Sequence, residues 1–379
     1  MGKRELVLIA LFAVVGIVVY QFTAPPPPPG SEEVSVGGIF QRMKRQVQGP
    51  REMATAESKE VVPVAAGVRL LRISFAYGND LTIVGSDRTD ISLESNITGR
   101  GYDKTEAMSV AEAAKLKIES TSDAIAMTAA PNVAGRRNGP RAFVSEASYT
   151  INVPKRLAVR LEPHNGKLTI RDVAAAEIMG SRGPTTLSNI DGPIVLSQTG
   201  SHLEIDGAGS LKLTSRNANG VVKRVSGTVT MDATGAEMRV ENLTGPLDIE
   251  ARNAEITIDA AKLAKAPFRF NATGGRVRIE HLKTESRIDG RNTDIDVALS
   301  GAAPITIYST GETIIVTPPP NGYALDAVAT EGSLTIEDGE FKVPVDGEQR
   351  VSGNVRGGGP ALTLRANRGD IRVRKPEGK

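Results

Sequence analysis

Thr185-Thr-Leu-Ser-Asn-Ile-Asp-Gly-Pro-Ile194-Val-Leu-Ser-Gln-Thr-Gly-Ser-His-Leu203-Glu-Ile205 holds three alternating triplets whose first residues lie nine apart. Within each triplet the inward residues stand two apart, then a turn intervenes; a helix would repeat at three and four. The beat extends both ways. Upstream lie Leu168 and Glu177; downstream lie Leu211, Val221, Val229, Met238, Leu247, Ile256, Phe268, Val277, Ser286, Ile295, Ile305 and Ile314. From the first start to the last, the beat keeps close to nine. A three-residue strand leaves its backbone groups unpaired when alone, whereas stacked strands pair at about 4.8 Å per layer and align their aliphatics. The pattern therefore predicts an all-β chain, a parallel β-solenoid of strand-turn repeats. Asn165-Gly166, Asn219-Gly220 and Gly274-Gly275 are expected at corners that need positive φ. Asn253 and Asn271 stand two beats apart, but Asn165, Asn189, Asn217, Asn242 and Asn271 step by nearly three and favour three beats per coil.

The flanks differ. Longer alternating stretches occupy Val68–Ala76, Leu81–Val84, Ile91–Glu94, Leu116–Glu119, Ala124–Thr128 and Tyr149–Val153, with a short helix expected over Glu106–Ala114 and a polar loop over Pro131–Arg141. Near the carboxyl end, strands are expected at Leu334, Leu362–Leu364 and Ile371–Val373. Arg365, Arg368, Arg372, Arg374 and Lys375 load the last strand with charge, as suits an end that must not pair with another molecule.

Leu6–Phe22 is an uncharged apolar run preceded by Lys3 and Arg4. Its composition predicts an uncleaved transmembrane anchor over 6–22. The cytoplasmic tip is then 1–5, and the remaining chain lies periplasmic or extracellular at a bacterial inner membrane. Phe22, Ala24 and Pro25 suit signal cleavage poorly. Pro25–Pro29 opens a flexible, proline-rich linker over 23–62, in which Val36–Val47 is a candidate short helix. The solenoid domain is expected over 63–375 and a tail over 376–379.

The 379 residues carry 46 Lys and Arg against 44 Asp and Glu, with no Cys and no Trp. A near-neutral chain without a basic face excludes nucleic acid as an expected partner. The lack of cysteine excludes disulfides, thiolate metal sites and cysteine nucleophiles. His164, His202 and His281 lack ligand spacing and are expected in solvated turns or at strand ends. Asp206-Gly-Ala-Gly-Ser-Leu-Lys212 lacks the third glycine and the helix of a dinucleotide loop. Asp191, Asp206, Asp232, Asp248 and Asp259 are the carboxylates that neighbouring coils could bring together for glycoside chemistry. No aromatic residue occurs from Thr150 to Pro267 to stack against a sugar. Arg368-Gly369-Asp370 is expected to be turn chemistry. No catalytic, cofactor or metal residue is assigned.

Tyr149-Thr-Ile-Asn-Val-Pro-Lys-Arg-Leu-Ala-Val-Arg-Leu-Glu-Pro-His-Asn-Gly-Lys-Leu-Thr-Ile-Arg-Asp-Val173 resembles the bacterial DUF4097 adhesin-type domains. Leu81-Thr-Ile-Val-Gly-Ser-Asp and Asn367-Arg-Gly-Asp-Ile-Arg-Val are similar to the same family, so the resemblance covers roughly 65–374. It implies a β-helical extracytoplasmic domain in adhesion or envelope stress, and brings no catalytic motif. The expectation is a non-enzymatic, monomeric envelope protein that contacts the bilayer through 6–22 and an unidentified envelope or surface partner. A glycan-active enzyme and a self-assembling scaffold are the alternatives.

Overall fold

The computed structural model describes residues 36–74, 79–129, 142–263, 267–301, 303–344 and 348–376, together with 8, 11–12, 14–16 and 19. The chain is all-β, with 26 strands among the described residues and two short helices beside them, Val36–Gln48 (α1) and Lys104–Ala113 (α2). Pro25–Pro29 and Pro131–Arg141 lie outside those residues.

Parallel pairing at a nearly constant step organises the middle of the chain. Leu187 stands beside Ile170 and Ile205, and Ile205 beside Val222. The row then continues through Val240, Ile258, Ile279, Val297, Val316 and Val373. A second row runs Ile73, Leu161, Ile178, Leu196, Leu213, Met231, Ile249, Phe270, Ile288, Ile307 and Leu364. Every member of both rows is buried. Each fully buried Ile, Leu or Val contributes about 1.5–3 kcal/mol relative to exposure, so the rows supply the cohesion that no single short strand has.

The step from layer to layer is two nine-residue beats, not three. Leu187 pairs with Ile205 and Val229 with Leu247; the step from Leu247 to Phe268 is slightly longer. The asparagines mislead because they sit in different places. Asn189 and Asn242 share one corner with Asp172, Gly207 and Arg224, all at positive φ. Asn217 belongs to the other corner, with Gly235, Asn253, Gly274, Asn292 and Gly311. There an asparagine alternates with glycine. Asn217 Oδ1 lies 2.4 Å from where a Gly235 Cβ would be, and Asn253 Oδ1 lies 2.3 Å from that of Gly274. Gly274-Gly275 meets the expectation of positive φ. Gly166 and Gly220 do not; they are glycine because a Cβ would sit 1.9 Å from the Asn79 carbonyl and 2.1 Å from that of Leu203.

Glu52–Pro63, expected within the linker, is instead a strand paired antiparallel with Asp90–Gly101 along its whole length. Its polar sequence hides it, because among its side chains only Ala56 is buried. The candidate helix before it is α1. Arg45 fixes α1, pairing with Glu106 at 2.7 Å and lying 4.8 Å from the Tyr102 ring centre. Asp103 caps α2 by accepting the Glu106 N–H at 2.8 Å.

Of the run 6–22, the described positions are helical, and no helix among the described residues is long and apolar enough to cross a membrane. This overturns the single-pass anchor and the inner-membrane placement that rested on it. Seventeen residues give only about 25 Å of helix against a hydrocarbon core of about 30 Å.

The charged carboxyl-terminal strand is also corrected. Ile371–Val373 lies between Ile314–Thr317 and Leu334–Ile336, inside the stack. Likewise Ala361–Asn367 lies between Ile305–Thr310 and Tyr323–Thr330, and Gln349–Val355 closes the end antiparallel. The arginines there neutralise neighbours: Arg365 pairs with Asp326, and Arg372 with Glu337 at 2.6 Å. Arg356 bonds buried Asp338 at 2.6 Å, and the Tyr323 hydroxyl donates to the same carboxylate at 3.1 Å. Burial pushes the Tyr323 phenol up, with the Asp338 charge adding to the effect.

Candidate functional site

Three antiparallel strands, Glu52–Pro63, Asp90–Gly101 and Phe143–Pro154, extend the side of the stack that carries the Leu187 row, here the first sheet, beyond Asp80–Ser86. The side that carries the Ile73 row is the second sheet. Alternation sends Leu93, Ile97, Tyr149 and Ile151 inward and their neighbours outward. The outward neighbours are hydroxyls, amides and carboxylates. They line two adjoining hollows of about 540 and 410 Å³ that share Asn96 and Ser148. Glu57, Lys59, Glu94 and Thr150 belong to the first hollow, and Asp80, Thr98 and Glu146 to the second.

The register ties these side chains into a row across strands. Glu94 stands opposite Lys59 on one side and Thr150 on the other; then come Thr82, Thr169, Thr186 and Glu204. Four threonines thus occupy four successive parallel strands at a pitch of about 4.8 Å. All four are half-buried, and the pairing spaces them evenly along the row. The edge of the row is charged but balanced, with Lys59 and Glu94 at 2.7 Å. Beside it Ser58 and Ser95 share a hydrogen bond of 2.7 Å. The four threonines offer donors and acceptors without charge, while the hollows beside them carry Glu57, Asp80, Glu94 and Glu146 against Lys59.

The five aspartates do not meet at one place; Asp232 and Asp248 alone are neighbours, diagonal on paired strands. Asp206 and Asp259 share a row on the first sheet but stand three strands apart, about 14 Å. Asp232 and Asp248 lie on the second sheet, and Asp191 at a corner beside Gly192. A hydrogen bond from Arg224 holds the Asp206 carboxyl below the usual carboxylate range, with Lys223 assisting. Among the described residues no group of three His, Asp or Glu side chains could hold a metal ion.

His202 is exposed, and His281 is exposed beside Asp259 at 3.0 Å. His164 departs from expectation: it is buried, next to Ser181 in the second sheet. A buried polar cluster follows it, in which the Thr185 hydroxyl meets Ser181 at 2.7 Å and Gln198 at 3.0 Å. Gln198 donates to the carbonyls of Gly183 and Gly200. Burial lowers the His164 pKa, while backbone hydrogen bonds and Asp80 oppose that shift. The unfolded chain therefore takes up a proton at about pH 6.5 that the folded chain takes up only at lower pH. The contribution of His164 is full above about pH 6.5 and is lost as pH falls from there through the depressed folded-state value. The thermal midpoint is expected to drop more between pH 7 and pH 5 in the wild type than in His164→Gln. Equal drops would show that His164 does not carry the dependence.

Arg368-Gly369-Asp370 is held as a turn. Asp370 Oδ1 accepts the Ser333 N–H at 2.8 Å and its hydroxyl at 2.7 Å, which lowers the Asp370 pKa. Gly369 packs so closely that a Cβ would lie 2.2 Å from the Glu312 carbonyl. Asp206–Lys212 lies wholly within the strand His202–Arg216.

Sequence reasoning misses the polar row, though the sequence carries a signal for it. Leu81-Thr-Ile83, Tyr149-Thr-Ile151 and Leu168-Thr-Ile170 share a middle threonine.

No family model matches the chain, and no curated protein matches it. Among solved structures it is similar to a "putative cell adhesion protein" from Clostridium sporogenes ATCC 15579, at 12% identity and TM-score 0.20, over 85% of this chain and 100% of that one. It is also similar to a "putative adhesin" from Parabacteroides distasonis ATCC 8503, at 10% identity and TM-score 0.36, over 86% and 98%. A "putative lipid binding protein" from the same organism matches at 14% identity and TM-score 0.29, over 86% and 98%. At this level of superposition they carry no argument about function.

Proposed function

We propose that the chain is a two-sheet parallel β-solenoid of the DUF4097 type that binds without catalysis, making adhesion-type contacts with a neutral, hydroxyl-rich polymer such as a glycan. The row Thr150, Thr82, Thr169 and Thr186 carries this reading. Threonine hydroxyls can both donate to and accept from a saccharide, and the carboxylates that outnumber Lys59 in the adjoining hollows disfavour an anionic polymer. Among the described residues no aromatic side chain lines the hollows, so each sugar contact is weak. Such a surface suits many parallel contacts, where avidity multiplies modest affinities.

The test is retention of the protein on a panel of immobilised neutral polysaccharides. Wild type is expected to be retained on at least one, and the double variant Thr82→Ala with Thr169→Ala to reduce retention at least fivefold at unchanged circular dichroism. Thr257→Ala is the control. It lies outward in the same row, four layers beyond Thr186, and is expected to behave as wild type. No retention anywhere, or equal retention by the double variant, would sink the reading.

A glycan-active enzyme has one observation in its favour: Glu57 and Glu94 lie diagonally on paired strands in the first hollow. Diagonal neighbours are about 7–8 Å apart, within the range of glycosidase carboxylates. However, Glu94 is half-exposed and ion-paired with Lys59, so it lacks the apolar shielding of a general acid. Release of reducing ends from a retained polysaccharide, abolished by Glu94→Gln, would favour the enzyme.

A further inference from the structure

The strand Glu52–Pro63 pairs on one side with Asp90–Gly101 and, among the described residues, with no strand on the other. At ~3.3 Å per residue its free edge extends about 40 Å, a long template for further pairing. Folded proteins usually shorten or cover such an edge. Here it remains, and its side chains are self-complementary.

We propose that two copies of the chain pair antiparallel through this edge, with the two-fold axis at Ser58. Pairing across an axis normal to the sheet keeps outward residues opposite outward residues, so the register can shift only in steps that preserve the face. Centred on Ser58, Glu57 of each copy faces Lys59 of the other, giving two opposite-charge pairs. Centred on Glu57 or on Lys59, the strands bring two like charges together, which is destabilising. The Ser58 register also lays Met53 against Pro63 and Thr55 against Val61. Met53 and Val61, 47% and 55% exposed, are apolar side chains that gain cover this way. Lys59 can bridge, since its ammonium holds Glu94 at 2.7 Å while the side chain stays 67% exposed. In the dimer the first sheet continues from one copy into the other, and the two polar hollows meet across the axis. The inference replaces the expected monomer and does not rest on the glycan reading.

The chain has no cysteine, so one introduced thiol reports on the axis directly. Opposed strand residues have Cα atoms about 4.5–5.5 Å apart, within disulfide range. Full-length Ser58→Cys is expected to form a covalent dimer on mild oxidation. Val62→Cys, which would face Ala54 of the other copy and not its own counterpart, is expected to form none. Sedimentation of the wild type should show a dimer. Glu57→Lys and Lys59→Glu should each weaken it at least tenfold, and the combined swap should restore it. Circular dichroism of each variant shows that it is folded. A folded wild type that sediments as a monomer throughout its soluble range overturns the proposal. So does a dimer that cross-links through Val62→Cys but not Ser58→Cys, or one indifferent to both charge reversals.

Discussion

Gly245→Ala is expected to destabilise the middle of the stack by about 3 kcal/mol or more, although it adds one methyl group. Gly192, Gly209, Gly227 and Gly245 form a column in which a backbone carbonyl of the preceding layer occupies the place of each missing Cβ. At Gly245 the added carbon would lie 2.2 Å from the Gly227 oxygen, 2.4 Å from its carbonyl carbon and 2.9 Å from its Cα. These are backbone atoms, and they cannot rotate aside. Gly227 is held in turn by donating its N–H to the Gly209 carbonyl at 2.7 Å. The expected relief is separation of two layers, with loss of apolar contact on both sheets. Gly200→Ala is the contrast. Its φ is +64° but nothing lies within 4 Å of the new carbon, so its cost is conformational, about 1 kcal/mol. Chemical denaturation of both variants checks the ordering. An equal loss would show that close stacking is not what requires glycine at 245.

The second large effect separates two adjacent valines. Val222 is fully buried between Ile205 and Val240, and Val222→Asp is expected to abolish folding of the central layers. An unpaired carboxylate there has no donor, and the cost exceeds about 4 kcal/mol. Val221 faces outward between Glu204 and Arg239. Val221→Asp gains a cation neighbour beside one carboxylate, and its effect is expected to stay within about 0.5 kcal/mol. Hydrogen exchange of the strands Asn219–Val225 and Glu237–Glu241 reads both. A reversed ordering would mean that the inward and outward faces are exchanged, and matching losses would contradict the assignment of Val222 to the core and Val221 to the surface.

These two cases mark what the sequence makes legible. Strict alternation of Leu, Ile and Val with polar residues announces which side chains enter the core. The buried residues Leu168, Ile170, Leu187, Ile194, Leu196, Leu203 and Ile205 follow from it, although the triplets at 185 and 194 join in one strand, Thr185–Thr199. The glycine column does not announce itself. Its members stand about two beats apart, and they become neighbours only once the step per layer is known. Asparagine is a poor guide to that step, because residues at two different corners share one identity for the same left-handed backbone. Glu52–Pro63 is hidden for the opposite reason: an edge strand with both faces wet has no apolar period. His164 reads as a solvated turn because Asn165-Gly166 follows it, yet the bridge to Ser181 carries it inside. The polar row is half visible in the repeated middle threonines. Which strands lie side by side there depends on Asp80–Ser86 inserting between Phe143–Pro154 and Leu168–Arg171, a long-range choice.

The most direct test of the account is the distance between spin labels on introduced cysteines at Thr169 and Arg278 in the otherwise cysteine-free chain. Both are outward in one row and six layers apart, through Thr186, Glu204, Val221, Arg239 and Thr257. Two beats per layer predict a narrow distribution at about 29 Å, six steps of about 4.8 Å. Three beats per layer would make about four steps and bring the labels to about 19 Å. That shorter distance, or a broad distribution with no dominant peak, would contradict the stacked register from which the core rows, the polar row and the free edge all follow.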